Sequence, residues 1–123
     1  MDNELRAHLT VRIFTDRKCF GPGVAELLRR VRELHSLRAA AMSMNMAYSK
    51  AWTIQRTAQD GLGFALLHSS TGGRNGGGAT LTAEGEAMLS AYETYCEKLE
   101  AYGKTLFEET FCFCAARGEE EAR

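Results

Sequence analysis

The chain has 123 residues, of which 45% are hydrophobic and 25% are charged, and it contains a single proline. This length holds one hydrophobic core, so we expect one domain without a separate sensory or catalytic domain, and the composition argues against disorder. The net charge of −1 conceals a division, since residues 1–82 carry 11 Lys and Arg against 6 Asp and Glu, whereas residues 83–123 carry 4 against 10. A basic front and an acidic rear predict that one surface meets a polyanion.

No segment predicts export or membrane insertion. The opening residues MDNELRAH include acidic side chains, and no run approaches the roughly 20 apolar residues of a membrane span. We therefore expect a cytoplasmic protein. In that reducing compartment the cysteines, which lack CxxC pairs, are expected to be free thiols. They are Cys19, Cys96, Cys112 and Cys114.

The first predicted elements are a strand and a helix. Apolar and polar residues alternate from Leu5 to Ile13, which predicts an N-terminal β-strand with one buried face. A loop around Asp16–Cys19 follows. Gly21 and Pro22 then predict the cap and first turn of an amphipathic helix whose apolar stripe continues to Leu34.

Two further helices are predicted after this one. Ser36 is a favourable N-cap for a short helix through Met42, and a third helix runs from about Ala47 to Gln59 and stops at Asp60-Gly61. Two short helices joined by a turn are typical of a helix-turn-helix. Methionines near the turn are interpreted as gap-filling core side chains. They are Met42, Met44 and Met46.

A β-hairpin with a glycine-rich tip is predicted next. Its strands are Phe64–Ser69 and Ala79–Thr82, and the tip between them, Thr71–Gly78, contains five of the twelve glycines. A phosphate-binding loop is excluded, because Gly78 is followed by Ala-Thr-Leu-Thr and not by Lys, Ser or Thr and a helix. The loop also does not open a helix in a βαβ unit, which excludes a dinucleotide site.

A long helix, residues 83–111, is predicted after the cap Thr82, and residues 112–123 form a C-terminal tail. Six of its apolar residues alternate in spacing between four and three, which is the coiled-coil period and predicts pairing with a second copy of the chain. The alternative is that this stripe packs on the chain's own domain. The predicted dimer-interface residues are Met88, Tyr92, Tyr95, Leu99, Tyr102 and Leu106.

No catalytic residues are predicted. The histidines lie on different elements and do not place two ligands on one face, and the acidic residues concentrate on the last helix as a solvated surface. We therefore predict no enzymatic activity, no metal and no cofactor.

The third helix carries the residue types that nucleic-acid recognition needs. A solvated helix face would have the same composition, but Arg74 in the glycine-rich tip, which can approach the DNA backbone or minor groove, favours DNA. The polar face contains Ser49, Thr53 and Arg56, flanked by Lys50 and Thr57. The residues left for packing are Ala51, Trp52 and Ala58.

Two stretches resemble the amino-terminal domain of the molybdate-responsive transcription regulator ModE family, a relative of the LysR-type DNA-binding domain. They are SLRAAAMSMNMAYSKAW and the more specific TGGRNGGGATLTAEGEAML, and the similarity extends from about Leu5 to about Leu106. The resemblance implies an α+β fold, mainly α with a small β-hairpin. Residues 1–82 would form a winged helix-turn-helix with an N-terminal strand, and residues 83–111 a long C-terminal dimerisation helix of the same domain.

The resemblance also implies a function. It predicts a homodimeric, sequence-specific regulator that binds double-stranded operator DNA, acts as a repressor and is linked to molybdate or metal transport genes. It places Trp52 at a buried aromatic position. The predicted DNA-binding residues are Tyr48, Ser49, Lys50, Thr53, Arg56, Thr71, Gly72, Gly73 and Arg74.

The sequence departs from the family pattern in three places. His68-Ser69-Ser70 stand where charged residues usually precede the tip, and Ala47 replaces a serine cap, which puts the operator sequence and affinity in question. The family's carboxy-terminal oxyanion-binding domains have no counterpart after Phe111, so we expect no molybdate-binding domain or other effector domain in this chain. The alternative function is a winged-helix protein-interaction module that has lost DNA binding.

Overall fold

The computed structural model describes residues 4–70 and 78–114. Over these residues the chain is mainly helical with two small antiparallel hairpins, which confirms the predicted balance of α and β structure. None of the described helices combines the length and the apolar character that crossing a membrane requires. The elements are β1 (Ile13–Phe14), β2 (Lys18–Phe20), α1 (Pro22–Leu34), α2 (Leu37–Ser43), α3 (Tyr48–Leu62), β3 (Leu67–Ser69), β4 (Ala79–Leu81) and α4 (Ala83–Thr110).

The chain forms two compact units. We call Val11–Tyr92 the core unit, and Met1–Thr10 together with Glu93–Arg123 the terminal unit. The core unit contains the two hairpins and the first three helices, and it also contains the start of α4.

The predicted N-terminal strand is wrong in extent. Residues 4–12 contain no strand, and Leu5 and Leu9 are exposed, so the alternation there does not mark a buried face. β1 pairs with β2, which also begins inside the predicted loop. β1 is shorter than the predicted strand because its partner β2 has only three residues, and a strand forms only where a partner backbone is available to pair with it.

The predicted starts of α1 and α2 are confirmed. Gly21 precedes α1 and Pro22 is its first residue. Proline costs no hydrogen bond at this position, because the first amide of a helix has no partner within the helix. Ser36 caps α2, since its hydroxyl oxygen accepts a hydrogen bond from the amide of Ala39 at 3.0 Å. Between the helices, His35 has a left-handed backbone with φ of 57°, which breaks α1 and redirects the chain.

The turn between α2 and α3 is fixed by backbone hydrogen bonds. Asn45 takes the left-handed conformation, with φ of 56°, and donates to the carbonyl of Met42 at 3.1 Å, while Met46 donates to Ala41 at 3.0 Å. These two bonds satisfy carbonyls at the end of α2. Met44 and Met46 pack against the core as predicted, but Met42 is 70% exposed and the prediction is wrong for it.

Small side chains bring the helices of the core unit together. Alanines face each other across α2 and α3 and allow the helices to pack closely, while leucine and valine from α1 fill the remaining volume. The buried cluster contains Leu27, Val31, Leu37, Ala40, Ala41, Ala51 and Ala79.

α3 continues beyond its predicted end. It ends at Leu62, and Gly63 follows with φ of 86°, a conformation that glycine adopts without steric cost. Gly61 has a different role, because a Cβ at this position would overlap the sulfur of Cys19 on β2. Asp60-Gly61 therefore marks close packing between α3 and β2, and the helix stops two residues later.

The predicted β-hairpin is confirmed. β3 and β4 pair antiparallel, with Leu67 opposite Leu81 and Ser69 opposite Ala79. β3 begins three residues later than predicted, because the amide of Leu66 donates instead to the side-chain oxygen of Gln59 at 2.7 Å. The amide of Ala79 donates to the carbonyl of His35 at 2.9 Å, so both strands are anchored to the helices.

Thr82 joins the hairpin to α4 and confirms the predicted cap. Its hydroxyl accepts a hydrogen bond from the amide of Gly85 at 2.8 Å and donates one to the carbonyl of Ala65 at 2.7 Å. Gly85 is needed for close approach, since a Cβ there would overlap the carbonyl oxygen of Leu66. The 28 residues of α4 correspond to a helix of about 42 Å.

Candidate nucleic-acid interface

α3 has one buried face and one exposed face. Its buried residues are Ala51, Gln55 and Ala58, so the packing role predicted for the two alanines is confirmed. Trp52 was also assigned to packing, and this is wrong, because it is 47% exposed. Gln55, one turn beyond Ala51, is buried with the two alanines, and Ile54 packs partly against the same core.

The exposed side of α3 contains every predicted recognition residue on this helix. We call this surface the outer face of α3. It consists of Tyr48, Ser49, Lys50, Trp52, Thr53, Arg56, Thr57 and Asp60. Because the opposite face is buried, these side chains are presented from a fixed helix, as a helix that enters a groove of DNA requires.

Two outer-face residues are partly engaged within α3. The hydroxyl of Thr53 donates to the carbonyl of Ser49 at 2.9 Å, which leaves its oxygen free to accept. The Nε of Arg56 lies 3.3 Å from a carboxylate oxygen of Asp60. About half of each side chain is exposed to solvent. This exposed pair is weak, so the remaining donors of the Arg56 guanidinium stay available to a ligand.

Arg38 belongs to this surface, although the sequence analysis did not select it. Its guanidinium carbon lies 4.4 Å from the ring centroid of Tyr48, a cation–π contact that links α2 to the first residue of α3. Neither Arg38 nor Lys50 has a carboxylate partner within residues 4–70 and 78–114. The available sequence signal was a cation in the first turn of a helix, where the dipole disfavours it.

Basic residues on α1 are already paired. Arg30 and Arg29 bind the carboxylate of Glu26 at 2.7 and 2.9 Å, and the hydrogen bond from Arg30 is the main cause that lowers the pKa of Glu26. Arg32 lies 3.3 Å from Glu86 on α4. Of the basic residues on α1, α2 and α3, those without a carboxylate partner within the described residues, Arg38 and Lys50, therefore lie on α2 and α3 and not on α1.

The base of the β3–β4 hairpin is also attached to α3, through Gln59. On the strands themselves, His68 and Thr80 are exposed opposite one another. The predicted contacts at the hairpin tip lie outside the described residues. These are Thr71, Gly72, Gly73 and Arg74.

The predicted dimer-interface residues divide between the two units. In the core unit Tyr92 is buried, donates a hydrogen bond from its hydroxyl to the carbonyl of Val11 at 2.7 Å, and meets the ring of Phe20 edge-on at 5.0 Å. Tyr92 is therefore corrected to an intrachain core residue, and Met88 beside it is half-buried. In the terminal unit Leu99 is half-buried, while the exposed residues are Tyr95, Tyr102 and Leu106.

Among the described residues, no group of three or more His, Cys, Asp and Glu side chains is arranged to hold a metal ion. The four cysteines are free thiols, as predicted.

Comparison with known proteins gives two partial similarities, and no protein-family model matches the chain. The chain is 32% identical to the transcriptional regulator ModE of Haemophilus influenzae over 72 residues, which are 58% of this chain and 28% of that protein. It is 33% identical to the molybdenum-pterin-binding protein MopB of Rhodobacter capsulatus over 66 residues, 54% of this chain and 24% of that protein. The chain thus spans less than a third of the length of each relative.

Proposed function

We propose that the chain is a sequence-specific DNA-binding transcription regulator. In this proposal α2 and α3 form a helix-turn-helix, α3 lies in the major groove, and the β3–β4 hairpin is the wing that contacts flanking DNA. The observation that carries the proposal is the outer face of α3, where hydroxyl and cationic side chains are exposed on a helix whose other face is buried.

Each polar group on this face has a role that its chemistry supports. The hydroxyl of Ser49 can donate to or accept from base edges, whereas that of Thr53, which donates to the Ser49 carbonyl, can accept from them. Lys50 and Arg38, which have no carboxylate partner within the described residues, suit phosphate oxygens on either side of the groove. Arg56 would exchange its exposed carboxylate partner for a guanine edge or a phosphate.

The two relatives support a regulatory role related to molybdenum, since one is named as a transcriptional regulator and the other as a molybdenum-pterin-binding protein. We extend the proposal to a cytoplasmic homodimer that represses genes for molybdate or metal transport. A dimer would present two copies of α3 to two half-sites, so the bound DNA should show two-fold symmetry.

The test is selection of bound duplexes from random DNA, followed by fluorescence anisotropy of a labelled selected duplex. We expect an enriched symmetric sequence. Because Lys50 is assigned to a phosphate, Lys50→Ala should weaken binding to all duplexes alike and reduce the slope of log affinity against log salt by about one, while Lys98→Ala on α4 serves as a matched control and should leave both unchanged. No enrichment, together with equal weak binding of all duplexes, would contradict the proposal and favour a protein-interaction module.

A further inference from the structure

Trp52 is the sole tryptophan of the chain, and its indole stands among the polar side chains of the outer face of α3. An aromatic side chain contributes about 150–250 Å² of surface, and 47% of this one remains exposed. Single exposed apolar residues are common on protein surfaces. Whether this exposure has a role is decided by the other groups on the face and by what those groups already contact.

Tyr48, one turn before Trp52, is the other aromatic residue on this face and is 40% exposed. One side of its ring is covered by the guanidinium of Arg38. Trp52, in contrast, has no ring or cation contact within the described residues. Trp52 is therefore the aromatic residue of the outer face that has no ring or cation partner within the described residues.

We propose that Trp52 determines sequence specificity by packing against the C5 methyl group of a thymine in the major groove. This inference rests on the proposed DNA-binding function. Base edges in that groove present donors, acceptors and the thymine methyl, which is their apolar group. The apolar ring surface of the indole, packed against a donor or acceptor edge, would remove water from that edge without replacing the hydrogen bond. Contact with the methyl group instead buries apolar surface on both partners.

The neighbouring side chains support this contact. Thr53 and Ser49 lie next to Trp52 on the outer face, and the Thr53 hydroxyl is turned to the Ser49 carbonyl, 2.9 Å away. The polar groups of the face can therefore bind base edges and phosphates while Trp52 excludes water beside them. The expected preference is for one thymine at the same position in each half-site.

The closing experiment changes one methyl group at a time. In a selected duplex, each thymine is replaced by deoxyuridine, which removes only the C5 methyl, and the affinity is measured by anisotropy. We expect the wild type to lose about fourfold at one thymine per half-site, the equivalent of roughly 0.8 kcal/mol for one buried methyl-sized group. Trp52→Ala should bind the thymine and deoxyuridine duplexes equally, and Trp52→Phe should retain part of the discrimination.

Phe14→Ala is the matched control, because Phe14 is a comparably exposed aromatic, at 61%, on β1. It should keep the full wild-type discrimination. Circular dichroism of each variant checks that the fold is retained.

A second readout uses the tryptophan fluorescence of the wild type, excited at a wavelength beyond the absorption of the four tyrosines, so that it reports on Trp52 alone. Saturation with the selected duplex should shift its emission to shorter wavelength or quench it, and should protect it from acrylamide. This inference would be overturned if the duplex binds but no deoxyuridine substitution lowers the affinity and the emission of Trp52 does not change on binding. That outcome would leave the proposed function intact. Absence of DNA binding would overturn both.

Discussion

Two glycines in α4 have different surroundings. A Cβ at Gly85 would overlap the carbonyl oxygen of Leu66, a backbone atom at the base of the hairpin. A Cβ at Gly103 would lie 3.0 Å from Cδ1 of Leu9, the end of a flexible side chain that can rotate away. The same substitution should therefore have opposite effects at these two positions.

We expect Gly85→Ala to lower the free energy of unfolding by about 2 kcal/mol, because overpacking costs about 1–3 kcal/mol and exceeds the gain of up to about 1 kcal/mol in helix propensity. Gly103→Ala, its matched control, should raise the free energy of unfolding by a few tenths of a kcal/mol. Urea denaturation followed by circular dichroism measures both. Similar values for the two variants would show that the contact with Leu66 does not constrain the helix.

At the residue scale, local interactions were predictable and distant ones were not. Ser36 and Thr82 could be identified as caps because a cap bonds to an amide only three residues away. The exposure of Trp52 could not be predicted, because it depends on the side chains that α1 and α2 place against α3. Arg38 was missed for a similar reason, since its partner Tyr48 lies on another helix.

At the scale of elements, the apolar stripe of α4 differs in burial along its length. Tyr92 packs on its own unit, as the intrachain interpretation of the stripe expects, whereas Tyr102 is 68% exposed, and pairing with a second copy of the chain stays a prediction. The heptad spacing alone could not distinguish these two positions, because a partner helix and the chain's own core select the same residue types.

We predict that replacing Leu99 and Tyr102 with glutamate produces monomers, because carboxylates facing each other across a helix pair would be desolvated and repel. Sedimentation velocity measures the change. Lys98→Glu, an adjacent substitution outside the stripe, should leave the dimer intact. A double variant that still sediments as a dimer would exclude this part of α4 from the interface.

The errors in element boundaries also have physical causes. Alternation predicted a strand over Leu5–Ile13, but period two becomes a strand only where a partner backbone is present, and β2 is short. Asp60-Gly61 suggested the end of α3, although Gly61 is small because Cys19 packs against it. The requirement for glycine at this position could therefore be identified only from the tertiary structure.

At the scale of the whole molecule, the uneven charge of the sequence has a testable consequence for DNA binding. The basic excess lies in residues 1–82 and the acidic excess in residues 83–123. On α1, Arg29 and Arg30 share the carboxylate of Glu26 and Arg32 pairs with Glu86, so we expect much of the charge that attracts phosphates to come from groups around α3 and from the hairpin.

Arg74→Ala is predicted to weaken binding to all DNA sequences alike and to reduce the slope of log affinity against log salt by about one, as loss of one phosphate contact does. Arg29→Ala removes the same charge from a side chain that Glu26 already binds, and should leave the slope unchanged. Equal slopes for the wild type and Arg74→Ala would argue against contact between the hairpin tip and the DNA backbone.

The hydrogen bond between Tyr92 and Val11 has a consequence for modularity. These two residues are the last and the first of the core unit, and they are 81 positions apart in sequence yet joined at 2.7 Å. A unit whose ends meet can be inserted into a loop of another protein, or circularly permuted, with little strain. We therefore expect the core unit to tolerate circular permutation or insertion with the geometry of α3 retained.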